Sequence, residues 1–322
     1  MKRLLLLATL IAVFLLSAAG AALAAPGGAT WGVPGDFATI QEAIDSSDVV
    51  NGDTIVVGPG DWAGAFVTKG VTITGGDGAV ISSGPFHAGA QVYMGFRLLA
   101  GSGGAVISHL TFDGADLAIM NGAAVDGVTV DHCVFVNTLQ GISNWRGSDW
   151  IITHNVFEDL WARNGGGIAV LIGDFAGTTG GVNNNVVAFN KIYGTLHLGA
   201  GEQGGYNGSG VSIYADFRWG SAGALEMKGN VISRNKISMV SENPTLVDFD
   251  AVELSYATYP YAPPADEIVC GVIHDNSVLF NDLRGSGNAI VFTPLALADC
   301  NLVSRNLGDV PNRGHGVSPA AF

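Results

Sequence analysis

Asp174, Asp216 and Glu253, with Arg218, are the side chains whose types and spacing could do chemistry. They sit on or just past copies of one apolar segment: Gly141-Ile-Ser-Asn-Trp145, Gly167-Ile-Ala-Val-Leu171, Gly210-Val-Ser-Ile-Tyr214, Ala251-Val-Glu-Leu-Ser255 and Ala289-Ile-Val-Phe-Thr293. If these are strands, alternation turns Val252 and Leu254 inward and Glu253 and Ser255 outward. The same outward columns would hold Ser212 and Tyr214, then Ala169 and Leu171, then Ser143 and Trp145. Asp174 and Asp216 fall within one alignment position of each other on neighbouring copies, which predicts a separation of roughly 5–7 Å. That range covers a retaining carboxylate pair at its lower end and an inverting pair at its upper end. It equally suits two acidic ligands of calcium. β-Elimination from a uronic acid would instead need a base near the C5 proton and a cation for the carboxylate. Arg218 and Tyr214, with calcium on Asp174 and Asp216, would fill those roles. Trp145, Tyr214, Trp219 and Tyr256 supply ring faces on which a pyranose could pack, with Tyr259 and Tyr261 beside them. The plainer reading is that each carboxylate is a solvated loop residue and that several aromatics pack the loops.

The elements that must position these groups show as a repeat. An aliphatic residue, two variable positions, Asn, one variable position and an apolar residue recur: Ile152-x-x-Asn155-x-Phe157, Val187-x-x-Asn190-x-Ile192, Ile232-x-x-Asn235-x-Ile237 and Ile273-x-x-Asn276-x-Val278. A weaker copy runs from Val303 to Asn306, and earlier copies carry Leu110 or Cys133 in the Asn slot. The shortest spacings between slots, 23 and 22 residues, match one turn of a parallel β-coil of three short strands. Asn tolerates the left-handed turn conformation, and amides roughly 4.8 Å apart in register can bond as a ladder. The longer spacings (35, 45 and 41 residues) place long loops on both sides of one strand column in the middle coils. Such insertions usually serve function.

These motifs resemble the right-handed parallel β-helix proteins of the pectin-lyase-like superfamily, over roughly Phe37 to Asn306. The entry segment Phe37-Ala-Thr-Ile-Gln-Glu-Ala-Ile-Asp45, followed by Gly52-Asp-Thr-Ile-Val-Val-Gly-Pro-Gly60, strengthens the resemblance. It predicts a short amphipathic helix with Phe37, Ile40 and Ile44 on one face, capping the open end of the coil. The resemblance implies an all-β solenoid of about eight coils whose walled groove holds polysaccharide. The acidic calcium ligands beside a basic residue resemble pectate-lyase logic, although that family's local motifs are absent.

The Asn register also predicts pairs. Cys270 and Cys300 each precede an Asn slot by six residues, which predicts a disulfide between adjacent coils in an oxidising compartment. Cys133 occupies a ladder slot and reads as a packed thiol. His109, His132 and His154 form a column just before the slot. Ligands spaced a coil apart in a line do not converge on one tetrahedral ion, so stacked imidazoles are expected there.

Composition bounds the rest. Met1-Lys2-Arg3, the apolar run Leu4–Leu16 and Ala22-Leu23-Ala24 predict an export signal cleaved after Ala24, hence a secreted, periplasmic or cell-surface monomer without a membrane span. The expected organisation is a signal peptide over 1–24, a cap over 25–52, the β-helix over 53–309 and a tail over 310–322. A net charge of −14 argues against nucleic acid and makes a polyanionic substrate awkward unless basic residues cluster locally. Two functions fit: a polysaccharide lyase or glycoside hydrolase working between the long loops, or a non-catalytic adhesin or structural rod.

Overall fold

The computed structural model describes residues 28–88, 91–163, 165–175, 181–217, 226–257, 270–293, 295–308 and 312–313. The predicted signal peptide, Arg218, Trp219, Tyr259, Tyr261 and nearly all of the 310–322 tail lie outside the described residues.

Successive turns of the chain stack strands into three parallel sheets, of ten, seven and ten strands among the described residues. The first sheet stacks ten short strands from Thr30–Val33 to Leu302–Ser304, passing through Thr129–Asp131, Ile151–Thr153, Val186–Ala188, Val231–Ser233 and Ser277–Leu279. The second runs from Gly60–Ala63 through Val156–Ala162 and Lys191–Leu198 to Lys236–Ser241. The third runs from Phe66–Val67 through Gln140–Trp145, Ile168–Phe175, Gly208–Asp216, Phe249–Ala257 and Asn288–Thr293 to Asn312–Arg313. Among the described residues, the single antiparallel pairing is Phe86–His87 against Val92–Leu98. The molecule is therefore a parallel β-helix. Its first sheet extends beyond the Asn-bearing coils, because the turns nearest the N-terminus carry no Asn.

The apolar positions of the repeat line the inside. Ile107, Val130, Ile152, Val187, Ile232, Val278 and Val303 share one register of the first sheet. In the second sheet Phe112, Phe135 and Phe157 stack with centroids 5.0 and 4.6 Å apart. Burying one such side chain contributes about 1.5–3 kcal/mol, and every coil repeats the gain.

A two-residue turn joins the first sheet to the second. Its first residue is left-handed even where it is bulky: His109, His132, His154, Phe189, Arg234, Phe280 and Arg305 all have φ between 53° and 60°. The ladder residue follows and holds that turn closed. Asn155 donates through Nδ2 to Asn190 Oδ1 (3.1 Å), Asn190 to Asn235 (3.0 Å), Asn235 to Asn281 (3.0 Å) and Asn281 to Asn306 (2.9 Å).

Asn276 is not in this column, contrary to the sequence alignment. It belongs to a second ladder on the other side of the first sheet, Asn121–Asn144–Asn185–Asn230–Asn276–Asn301. The two motifs overlap, since Val278 closes one copy and opens the next, Val278-x-x-Asn281. Cys270 and Cys300 do form a disulfide, with Cα atoms 5.3 Å apart. Their equal offset from Asn276 and Asn306 is not the cause, because Asn276 stacks on Asn301.

Helix α1 (Ile40–Asp45) caps the stack. Thr39 Oγ1 accepts from Glu42 N at 3.1 Å, and Glu42 Oε2 reaches back to Ala38 N at 3.0 Å, satisfying helix-start donors. Ile40, Ala43 and Ile44 are buried against the first coil. Phe37 precedes the helix and packs on Trp31, with centroids 5.6 Å apart.

Candidate functional site

The third sheet carries the column on which the sequence placed the site. Its register sets Ser143, Leu171, Ser212, Glu253 and Val291 in one outward row. Trp145, Gly173, Tyr214, Ser255 and Thr293 form the next. The expected position of the 168–175 strand was two residues off: Leu171, not Ala169, stands beside Ser212, and Ala169 packs in the core.

Asp174, Asp216 and Glu253 do not converge. Asp174 pairs with Ala215 and Asp216 with Phe175, so alternation turns the two carboxylates to opposite faces of the sheet. Both are fully buried. Glu253 stands opposite Ser212, four residues before Asp216, which is about 13 Å of strand. Two of the proposed ring faces are covered. Trp145 and Tyr214 are 5% and 1% exposed and meet edge to face at 6.1 Å. With Leu171, Ile168, Met94 and Met120 they form a second apolar cluster outside the main core. Tyr256 is half-buried and meets Phe217 edge to face at 6.4 Å.

What the sheet does assemble is an acidic cluster around Glu253. Glu253 Oε2 accepts from Ser209 Oγ at 2.7 Å and Ser212 Oγ at 3.1 Å, and Oε1 accepts from Ser255 Oγ at 2.7 Å. Three residues earlier on the same strand, Asp250 is also buried. Its Oδ1 accepts from Asn288 Nδ2 at 2.8 Å and from Asn207 Nδ2 at 3.2 Å. Asn288 Nδ2 also donates to Asp248 Oδ2 at 3.0 Å. Burial, and then the charge of Glu253, push the Asp250 carboxyl up to about 7, while the two amides pull the other way. Two carboxylates with different hydrogen-bonding sets thus lie three residues apart on one strand, near enough for the charge of Glu253 to raise the Asp250 carboxyl. Sequence reasoning named Glu253 and missed Asp250. The available signal was the aligned polar position before the small residue of each copy: Ser209-Gly210, Asp250-Ala251, Asn288-Ala289.

The histidine column stacks as expected. His109, His132 and His154 lie with centroids 5.2 and 4.9 Å apart, and Phe189 continues the pile at 5.2 Å. Arg234 and Arg305 extend it as cations over Phe189 and Phe280. Asp131 accepts from both His132 (2.5 Å) and His154 (3.1 Å) through Nδ1 and from Thr153 Oγ1 at 2.8 Å. Burial raises the Asp131 carboxyl, but these donors outweigh it and hold it below the usual range. The ligand atoms of Asp131, His132 and His154 lie within 4.8 Å of one another. The two rings are only 12° from parallel, so their lone pairs run side by side and do not converge on one ion.

The exposed polar face belongs to the second sheet. Lys191 pairs with Lys236 and Tyr193 with Ser238, and these four side chains line a cleft of about 320 Å³. Trp161 and His197 lie further along the same sheet with centroids 5.0 Å apart. Comparison of the chain with family models, with curated proteins and with solved structures returned no match.

Proposed function

We propose that this β-helix is an exported carbohydrate-active protein of the pectin-lyase-like kind, and that its chemistry is acid–base hydrolysis centred on Asp250 and Glu253. The observation that carries this reading is the buried pair itself. Asp250 keeps a proton up to about pH 7, and Glu253 is oriented by three serine hydroxyls. A carboxylic acid that donates a proton and a second carboxylate that activates water or attacks carbon are the two groups glycoside hydrolysis requires. β-Elimination has less support, because the described residues hydrogen-bonded to the pair are serines and asparagines and include no base suited to a C5 proton.

A second reading, a non-catalytic rod for a cell surface or matrix, is favoured by a specific observation. Ser143, Leu171, Ser212, Trp145 and Tyr214, which an open groove would expose, are buried. The deciding experiment incubates the mature protein with neutral and uronic polysaccharides, with and without calcium. New reducing ends without an unsaturated, ultraviolet-absorbing product support hydrolysis, and an unsaturated product supports a lyase. Neither product and no binding across the panel leave the rod.

A further inference from the structure

We propose that the cleft on the second sheet is a binding site for an acidic sugar unit, its anionic group held between Lys191 and Lys236 and its ring packed on Tyr193 beside Ser238. Only five lysines occur in the chain, and two of them stand directly opposite each other on neighbouring strands. Like charges in that position destabilise a sheet, so folding alone does not favour the arrangement. Both ammonium groups are exposed, and among the described residues neither has an ion-pair partner within 4.0 Å. The acidic groups nearby are already engaged. Asp282, bridged to Lys236 on the next strand position, accepts from Arg284 Nε and Nη2 at 2.8 Å each, and Glu158 accepts from the Tyr193 hydroxyl at 3.2 Å. Asp159 accepts from Thr195 N at 2.7 Å, so the charged side chains that line the cleft itself are the two lysines, on a chain of net charge −14. Such a local cluster is what an acidic protein needs to hold a polyanion.

The spacing fits one sugar. Strands lie roughly 4.8 Å apart, so the two ammonium groups can share the oxygens of a single carboxylate or sulfate. Tyr193 and Ser238 come two residues further along the same strands, about 6.6 Å away on the same face. A ring whose anionic substituent rests on the lysines therefore reaches the Tyr193 face, and its hydroxyls reach Ser238. The phenol is pinned by Glu158, so the ring face is already oriented. Exposed Trp161, beside half-buried His197, continues the platform for further units of a chain. This site lies on a different sheet from Asp250 and Glu253 and takes part in no hydrolytic step.

The test is binding, not turnover. Titration of the mature protein with a soluble polyuronate is expected to give saturable, salt-sensitive binding that weakens about tenfold or more in the K191Q/K236Q double variant. The control K228Q, which removes a lysine elsewhere, should bind as the wild type does. Tyr193→Ala should weaken the polyuronate while leaving any affinity for inorganic phosphate unchanged. Equal binding of a neutral polysaccharide, or no loss in the double variant, overturns the proposal. Phosphate binding as tightly as a uronate monosaccharide overturns the sugar assignment. Thermal melting of each variant separates lost binding from lost folding, and removal of the lysine pair should not lower the midpoint. Failure here leaves release of reducing ends by Asp250 and Glu253 untouched, and absence of hydrolysis leaves this binding untouched.

Discussion

The side-chain amide of Asn276 donates to Asn301 Oδ1 at 2.9 Å, and Asn276 N donates to the same oxygen at 3.0 Å. One acceptor therefore serves a backbone and a side-chain donor from the coil before it. The same two-donor pattern recurs at Asn230, Asn235, Asn281 and Asn306, so each C-terminal coil carries two amide locks five residues apart, on either side of a three-residue strand. Both ends of the first sheet are thereby fixed, and a register slip would break two ladders at once.

Interior rungs should matter more than terminal ones. Asn230 accepts from Asn185 N and Nδ2 at 2.9 Å each and donates to Val182 O at 3.1 Å and Asn276 Oδ1 at 2.9 Å, all while buried. Asn230→Ala strands several buried partners and should cost about 3 kcal/mol in chemical denaturation. Asn306 is partly exposed, so water can replace its bonds, and Asn306→Ala should cost about 1 kcal/mol. Equal losses at the two sites would contradict the ladder as the source of the difference.

Thiol chemistry should separate the three cysteines. Cys133 is fully buried, and that burial pushes its thiol up to about 12, so an alkylating reagent at neutral pH should leave the native protein unlabelled. Denaturation without reductant should expose one thiol by mass spectrometry, and denaturation with reductant three. Replacing Cys270 and Cys300 together by Ala should cost roughly 3–4 kcal/mol, from the closure of a loop of 30 residues.

The fold was legible because a solenoid repeats its physics: one aliphatic column, one left-handed turn and one amide per coil leave the same trace many times. The register was less legible. Asn276 and Asn281 lie in overlapping copies of one motif, and only the stacking partner tells them apart. The site was least legible. Glu253 was found because it interrupts an apolar alternation, whereas Asp250 looks like the end of a loop. Asp174 and Asp216 differ from a pair by one residue of register, which in a strand is the difference between two faces. Lys191 and Lys236 were visible as two Asn-Lys-Ile copies, yet they sit on the sheet that the loop lengths did not mark.

Stability should fall as pH rises toward neutrality through Asp250. Its folded carboxyl titrates at about 7 against roughly 3.9 in an unfolded chain, so the folded state binds the extra proton between about pH 4 and 7. The unfolding free energy should therefore be higher at about pH 5 than at about pH 8, by a few kcal/mol at most. Asp131 and Asp53 are shifted downward, and what they contribute is lost only below about pH 4, outside that window. Asp250→Asn retains an oxygen acceptor for Asn288 and Asn207 but cannot ionise. It should flatten the difference, and an unchanged slope would assign the effect to another group.

Activity should follow the same proton. If Asp250 delivers it to the leaving oxygen, turnover of a responsive polysaccharide should decline above about pH 7, as that carboxyl ionises. Glu253→Gln removes the second carboxylate but keeps an oxygen acceptor for some of the hydroxyls of Ser209, Ser212 and Ser255, so the fold should survive while kcat drops by about 100-fold or more. Asp250→Asn should lower kcat by a similar factor and abolish the alkaline limb. A substrate whose leaving group needs no protonation should recover most of the rate in Asp250→Asn and little in Glu253→Gln, which assigns the acid to one residue and the base or nucleophile to the other. If both variants lose KM and kcat together and melt at lower temperature, the serine–carboxylate cluster is a structural lock of the rod.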